Sequence, residues 1–218
     1  MSARPKSFWK ALALAVAGLF FGSVAGAEEA MPCHDTTTAA APAAPTTVIS
    51  TERLEIPDVP VVDQDGRKLS FHRDLIAGRR VALNFVFTTC TTICPPMGAH
   101  FAKVQKLLEA RAGEPVELIS VSIDPMTDTP ARLKAWQAGF GSPRGWTLVT
   151  GTKQDITRLL RELRVYTADR SAHTPVVLIG DDETGSWQRV YGLTPPAELL
   201  ARIDDLGAAQ VARQEAKP

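Results

Sequence analysis

Cysteine is scarce in this 218-residue chain, and neither sign of charge is in excess. The three cysteines are too few for a disulfide scaffold, and their odd number allows at most one pair to close within the chain. Basic and acidic residues balance at 24 each, which argues against a polyanionic partner such as nucleic acid. The length suits one well-buried domain without internal repeats, and 44% hydrophobic residues supply its core.

The N-terminus has the pattern of an export signal. Three basic residues precede the apolar run of residues 11–27, which ends in the small residues Ala25-Gly26-Ala27. We predict a signal peptide over residues 1–27, cleaved after Ala27. The run is also long enough for an uncleaved membrane anchor, which needs roughly 17–25 residues. Either form predicts export to the bacterial periplasm, soluble or tethered to the inner membrane, where thiols tend to be oxidised.

The remainder of the chain divides into a tether, one domain and a tail. Residues 28–47 are rich in Ala, Pro and Thr and have no apolar periodicity, which is typical of a flexible tether. We therefore predict the folded domain over residues 48–213 and a short tail over residues 214–218.

Strands and helices alternate within the predicted domain. The Asp65-Gly66 turn signal between two short extended segments predicts a hairpin at its start. Apolar runs predict four buried strands over residues 81–87, 116–123, 146–149 and 175–180. Amphipathic patterns predict helices over residues 95–113, 130–140 and 154–165 and from about residue 195. After a turn at residues 181–185, residues 186–192 are expected to pair antiparallel with the preceding strand. This order predicts an α/β fold, a thioredoxin-like three-layer sandwich with a central mixed sheet and an N-terminal hairpin.

Cys90 and Cys94 fall between the first buried strand and a helix expected to begin at Pro95. Such a helix leaves free backbone N–H groups and a partial positive charge near the thiols, which lowers a thiol pKa. The pair is then suited to thiol–disulfide exchange or to binding a soft ion such as Cu(I) or Zn²⁺. A structural disulfide is the third reading of this motif.

One of the four histidines is placed to join the cysteines. His173 comes immediately before a predicted buried strand, whereas His34 lies in the tether. We expect a solvated loop or short helical turn for His72. His100 lies six residues after Cys94, which rotates it by roughly 240° around the helix and away from the sulfurs.

The chain resembles the Sco/SenC family, thioredoxin-fold copper chaperones that serve cytochrome c oxidase assembly. The resemblance rests on NFVFTTCTTICP, VSIDPMTDTPARLKAW, the pair His173-Thr174 and the following strand that ends in Asp181, and it spans roughly residues 55–207. It implies that Cys90, Cys94 and His173 hold Cu(I), or Cu(II) with an additional ligand.

Three positions bear on how closely the site follows the family. Family members commonly carry a polar pair between the cysteines, whereas Thr91-Thr92-Ile93 stands here. Asp124 matches the family's Asp-Pro and is expected either near the site or in turn formation. Pro175 occupies the position of the cis-proline of thioredoxin-like reductases, so we predict a cis Thr174–Pro175 bond.

Two functions remain open. The first is a copper metallochaperone that delivers copper to, or prepares, the copper centre of cytochrome c oxidase. Its partner would be an oxidase subunit or another periplasmic copper chaperone, and the chain itself is expected to be a monomer. The second is a periplasmic thiol–disulfide oxidoreductase in which Cys90 attacks a substrate disulfide and Cys94 resolves the mixed species.

Other readings are weaker. A peroxiredoxin would need proline where Phe87 stands, and a closed zinc site wants four ligands. In the tether, Met31, Cys33 and His34 are soft donors that form either a capture arm for copper or a linker with a leftover thiol.

Overall fold

The computed structural model describes residues 49–111, 116–141 and 144–215. The predicted signal peptide (1–27) and tether (28–47) lie outside the described residues, and so do the three soft donors of the tether. None of the helices in the described ranges combines the length and the hydropathy needed to cross a membrane.

Eight strands and five α-helices make up the described domain. The strands are β1 Ile49–Arg53, β2 Pro60–Asp63, β3 Lys68–Ser70, β4 Arg80–Val86, β5 Val116–Ser122, β6 Trp146–Thr150, β7 Val176–Asp181 and β8 Ser186–Tyr191. The helices are α1 Phe71–Leu75, α2 Cys94–Glu109, α3 Pro130–Ala138, α4 Lys153–Glu162 and α5 Pro196–Glu215, with a 3₁₀ turn at Arg170–Ala172.

The strands form one mixed sheet in the order β1-β8-β7-β4-β5-β6-β2-β3. Successive residues of a strand point to opposite faces of the sheet, and β4 shows this clearly. Leu83 packs on one face with residues of α1 and α4, whereas Ala82 packs on the other with residues of α2, α3 and α5. The predicted three-layer α/β sandwich with a mixed sheet is confirmed.

The predicted N-terminal hairpin is also confirmed. Strands β2 and β3 pair antiparallel around Asp65-Gly66, where Gly66 has a φ of 81°. The Asp63 carboxylate accepts the N–H groups of Asp65 and Arg67, each at 2.9 Å, and so closes the turn. Strand β2 pairs in addition with β6, which places the hairpin at the end of the sheet opposite β1.

Strand β1 was not predicted, because its sequence ISTER is polar and lacks alternation. It is an edge strand with a single partner, β8, so it buries little side-chain surface. A strand held by backbone pairing on one side leaves a weak hydrophobic pattern. The backbone hydrogen bonds to β8 therefore decide its conformation.

The sheet topology brings three loops to one edge. Strands β4 and β5 are parallel, so both end at this edge, and β7 begins there because it runs antiparallel to β4. The cysteines follow β4, Asp124 follows β5 and His173 precedes β7. The fold thus collects residues that are far apart in the sequence.

Candidate metal centre

Cys90 and Cys94 are free thiols in the turn that leads from β4 into α2. Cys90 is 8% exposed and Cys94 is completely buried. Both pack against Val86 at the end of β4 and against Trp136 of α3. The thiols therefore lie in a largely apolar pocket that is open to solvent only at Cys90.

The first turn of α2 explains how the two cysteines meet. The helix begins at Cys94, one residue earlier than predicted, and Ile93 at the N-cap position supplies no side-chain hydrogen bond. The expected set of free N–H groups is reduced, because Pro95 and Pro96 have none. The Cys94 N–H remains, and it donates to Cys90 Sγ at 3.3 Å. The sulfur of Cys90 thus takes the place of a capping oxygen.

The two thiols differ strongly in acidity. Burial alone would raise the pKa of Cys90, but hydrogen bonds from the Cys94 thiol and N–H and from Thr92 outweigh it and lower that pKa to about 7. Burial raises the pKa of Cys94 to about 12, with further contributions from Cys90 and from the charge of Asp128. At neutral pH a large fraction of Cys90 is therefore thiolate, whereas Cys94 is a protonated thiol.

His173 ends the 3₁₀ turn that precedes β7, and its N–H donates to the Arg170 carbonyl at 3.3 Å. The residue is 8% exposed, and neither of its buried ring nitrogens has a hydrogen-bond partner among the residues that the structure describes. Burial lowers the pKa of His173, which keeps the ring neutral and its lone pair free. A buried imidazole with no partner is unusual in folded proteins, and a ligand that binds the ring would account for it.

The structure brings the three predicted ligands to one edge of the sheet without closing them around an ion. Cys90 and Cys94 are in contact, and His173 lies in the loop that enters the strand next to β4. Within the described ranges, no three Cys, His, Asp or Glu side chains are grouped closely enough to hold a metal. The set Cys90, Cys94 and His173 stays a prediction that requires the His173 loop to move toward the sulfurs.

The two other predicted positions also lie at this edge. Asp124 is 6% exposed and forms an ion pair with Arg170, while its carbonyl accepts the N–H groups of Thr127 and Asp128 in the turn after β5. Both expected roles, a place near the site and turn formation, are therefore compatible with its contacts. Pro175 lies just outside β7, and its carbonyl accepts the Gly192 N–H at 2.9 Å.

A buried carboxylate beneath the dithiol was missed in the sequence. Asp128 accepts the N–H of Thr88 at 3.1 Å, the Thr88 hydroxyl at 2.6 Å and the Ser122 hydroxyl at 2.7 Å. Asp128 does not cap the following helix α3, because Thr129 caps it by accepting from the Arg132 N–H. Asp128 instead joins the ends of β4 and β5. The sequence carries no signal for contacts between residues 40 positions apart.

His72 and His100 have structural partners. His72 Nε2 lies 3.0 Å from Asp182 Oδ1, and His100 Nδ1 lies 2.8 Å from the Thr194 carbonyl oxygen. His72 is half-buried in α1, where a loop or short helical turn was expected. These contacts explain both rings without a ligand, in contrast to His173.

A family model described as SCO1/SenC matches residues 54–207 of this chain. Among curated proteins, the SCO1 protein homolog of Bacillus subtilis is 40% identical over 93 residues, which cover 42% of this chain and 47% of that protein. A putative copper-binding protein of Stutzerimonas stutzeri is 31% identical over 108 residues, 50% of this chain and 51% of that protein. The chain thus spans about half the length of the curated relatives it matches.

A solved structure is similar over a larger part of the domain. It is BsSco, a member of the Sco family of cytochrome c oxidase assembly proteins in which a disulfide switch was identified. The similarity has a TM-score of 0.61 at 27% identity and covers 73% of this chain and 96% of that one. The match confirms the predicted thioredoxin-like fold.

Proposed function

This chain belongs to the SCO1/SenC family, and from that membership we propose that it is a copper chaperone for the assembly of cytochrome c oxidase. One observation carries the proposal. A pair of free thiols of unequal acidity and a buried, unpartnered imidazole lie at the same edge of the sheet. Thiolate and neutral imidazole are donors that suit Cu(I).

Copper is the cargo in this proposal, and Cys90, Cys94 and His173 are its ligands. Cys90 is partly ionised at neutral pH, far more than Cys94, so it is suited to make the first contact with the ion. Cys94 must lose its proton on binding, so copper uptake releases a proton and the apparent affinity rises with pH. His173 completes the set when its loop moves toward the sulfurs, and its low pKa means that no proton has to leave the ring.

The relatives support copper as the cargo and the oxidase as the destination. The Stutzerimonas stutzeri relative is described as copper-binding, and BsSco belongs to a family of oxidase assembly proteins. The predicted export signal supports action outside the cytoplasm, in the bacterial periplasm. The acceptor in this proposal is an oxidase subunit that holds a copper centre, or a second copper chaperone.

Competition for Cu(I) against a chromophoric chelator tests the ligand set. The reduced full-length chain would carry Cys33→Ser, so that Cys90 and Cys94 are its remaining thiols. We expect His173→Ala to weaken the affinity by more than about tenfold, since even the loss of an outer-shell partner costs that much. His100→Ala is the matched control and should leave the affinity unchanged. Equal affinities for the His173→Ala variant and its parent would refute a three-ligand site.

Thiol–disulfide exchange is the second candidate, and the unequal acidities of the two cysteines favour it. The Cys90 thiolate attacks a substrate disulfide, forms a mixed disulfide and releases one substrate thiolate. Cys94 then passes its proton to the released substrate thiolate and attacks Cys90 Sγ. The second substrate thiolate leaves, and a Cys90–Cys94 disulfide remains. The disulfide switch identified in BsSco supports such a cycle.

Reduction of a disulfide in the oxidase copper domain distinguishes the two functions. Exchange requires both cysteines and no histidine, so the His173→Ala variant should reduce the substrate at the parental rate. Loss of this reduction in the same variant would argue against independent exchange activity.

A further inference from the structure

Arg170 connects the His173 turn to the loops around the dithiol. Its guanidinium forms an ion pair with Asp124, in the loop after β5. The same group lies 6.0 Å from the centre of the Phe87 ring, at the end of β4. Of the described residues, Arg170 alone makes a hydrogen bond or ring contact between the turn and these two loops.

Asp124 is held in turn by the network beneath the cysteines. Its N–H donates to the Ser122 hydroxyl at 3.1 Å, and that hydroxyl donates to Asp128. Asp128 also accepts from Thr88, which lies two residues before Cys90. A continuous chain of polar contacts therefore runs from the start of the dithiol turn to Arg170.

The imidazole of His173 has no hydrogen bond that could orient it. The ring must therefore take its position from the backbone of its turn and from packing. That turn is short: Asp169 accepts from the Ser171 N–H at 2.8 Å, and Arg170 and His173 share a backbone hydrogen bond. If Arg170 moves, His173 should therefore move with it, because the two residues belong to one short hydrogen-bonded turn.

The ion pair is strong enough in its setting to serve as such an anchor. The Asp124 side chain is 7% exposed, whereas that of Arg170 is 52% exposed. A buried carboxylate that loses its cation is left poorly solvated, which favours keeping the pair closed. The guanidinium of Arg170 is therefore held by Asp124 even though about half of the side chain is exposed.

We propose that Arg170 is a positioning residue for copper binding, which holds the His173 turn beside the loops of Cys90 and Cys94, so that only a local movement of this turn is needed for three-ligand coordination. This inference rests on the proposed copper site. Arg170 does not bind the ion and acts through His173. Its guanidinium is held by the ion pair with Asp124 and by the contact with the Phe87 ring.

A double-mutant cycle on Cu(I) affinity tests the inference. In the reduced full-length Cys33→Ser chain, Arg170→Ala should weaken Cu(I) binding about tenfold, the scale of outer-shell partners of metal ligands. Arg170→Lys keeps the charge and should lose less. On the His173→Ala background, Arg170→Ala should change the affinity by less than about twofold, because the residue through which it acts is absent.

Arg111→Ala is the matched control. Arg111 also forms an ion pair at the surface, with Asp204 at 2.8 Å, but it follows the C-terminus of α2, whereas the dithiol lies at the N-terminus. Its replacement should leave the affinity within about twofold on both backgrounds. The electron paramagnetic resonance spectrum of the Cu(II) form gives a second readout, because its nitrogen hyperfine splitting reports the histidine ligand. Arg170→Ala should reduce this splitting, and Arg111→Ala should leave it unchanged.

Equal weakening by Arg170→Ala on both backgrounds would overturn the inference, because the effect would then not pass through His173. So would an unchanged affinity in Arg170→Ala when His173→Ala has weakened binding. If His173→Ala itself has no effect, the three-ligand site fails, and the positioning role fails with it. The cycle therefore separates failure of this inference from failure of the proposed function.

Discussion

The ionisation of Cys90, considered by itself, should increase the free energy of unfolding of the reduced protein as the pH rises from about 7 to about 9. The pKa of this thiol is lowered from its ordinary value of 9.0 to about 7 in the folded chain. A group whose pKa is lowered on folding contributes stability above the unfolded pKa and loses it as the pH falls through the folded one. The stabilisation should therefore be complete above pH 9.0 and absent well below pH 7.

The magnitude follows from the size of the shift. One pKa unit corresponds to about 1.36 kcal/mol, so a shift from 9.0 to about 7 corresponds to about 2.7 kcal/mol. Cys94 works in the opposite direction, because its pKa is raised from 9.0 to about 12. Its contribution is present below pH 9.0 and is lost as the pH rises toward 12. Stability from the pair should therefore climb from pH 7 to 9 and decline above it.

Urea denaturation at a series of pH values measures this effect. The reduced Cys33→Ser chain and its Cys90→Ala variant would be compared, because their difference cancels contributions from groups that the two proteins share. The difference in free energy of unfolding should grow by about 1.9 kcal/mol between pH 7 and 9, out of about 2.7 kcal/mol between the limits well below pH 7 and well above pH 9. Iodoacetamide alkylation, followed by mass spectrometry, should show Cys90 ionising with a midpoint near pH 7 in the folded protein.

A flat difference across this pH range would refute the reasoning, as would an alkylation midpoint near pH 9. Either result would mean that the hydrogen bonds from Cys94 and Thr92 do not outweigh the burial of the Cys90 sulfur. The Cys94→Ala variant locates the cause. It keeps the N–H donor and removes the thiol donor, so the Cys90 midpoint should rise partway toward 9.0.

Three further substitutions test the surrounding structure. Asp128→Asn removes a negative charge near Cys94 and should lower the Cys94 pKa, so the rise of Cu(I) affinity with pH should shift to lower pH; an unchanged pH dependence would argue against the electrostatic effect. Gly180→Ala places a methyl group in steric overlap with the Trp187 ring and should destabilise the fold by about 1–3 kcal/mol in urea, whereas tolerance of the methyl group would mean that the ring moves freely. Thr129→Ala removes the cap of α3 and should cost about 1 kcal/mol in the same assay, with no loss expected only if water replaces the hydroxyl.

The elements that the sequence predicted best are those with strong local patterns. Residues 81–87 are apolar except for Asn84, as expected of a strand buried on both faces, and β4 occupies Arg80–Val86. Helix α3 begins at Pro130, as predicted. The polar strand β1 was missed, because only pairing with β8 makes it a strand.

Some features of the candidate site could also be predicted from local sequence, and others could not. The spacing of Cys90 and Cys94 and their place between a strand and a helix were readable in the sequence, because both are properties of one short segment. The position of His173 before a buried strand made it the candidate histidine, and the family resemblance implied its role as third ligand. That role stays a prediction, with which its buried ring is compatible. The cis Thr174–Pro175 bond remains a prediction.

By itself the sequence determined which segments form buried strands and capped helices, and where the two neighbouring thiols lie along the chain. These features follow from local periodicity and capping residues, so they can be predicted without knowledge of the fold. Only the tertiary structure decided the unequal acidity of the thiols, because that depends on burial and on hydrogen bonds formed where α2 meets β4. The pairing of Arg170 with Asp124 was likewise decided by the fold, because these residues are 46 positions apart and meet only where the loops after β5 and before β7 share one edge of the sheet.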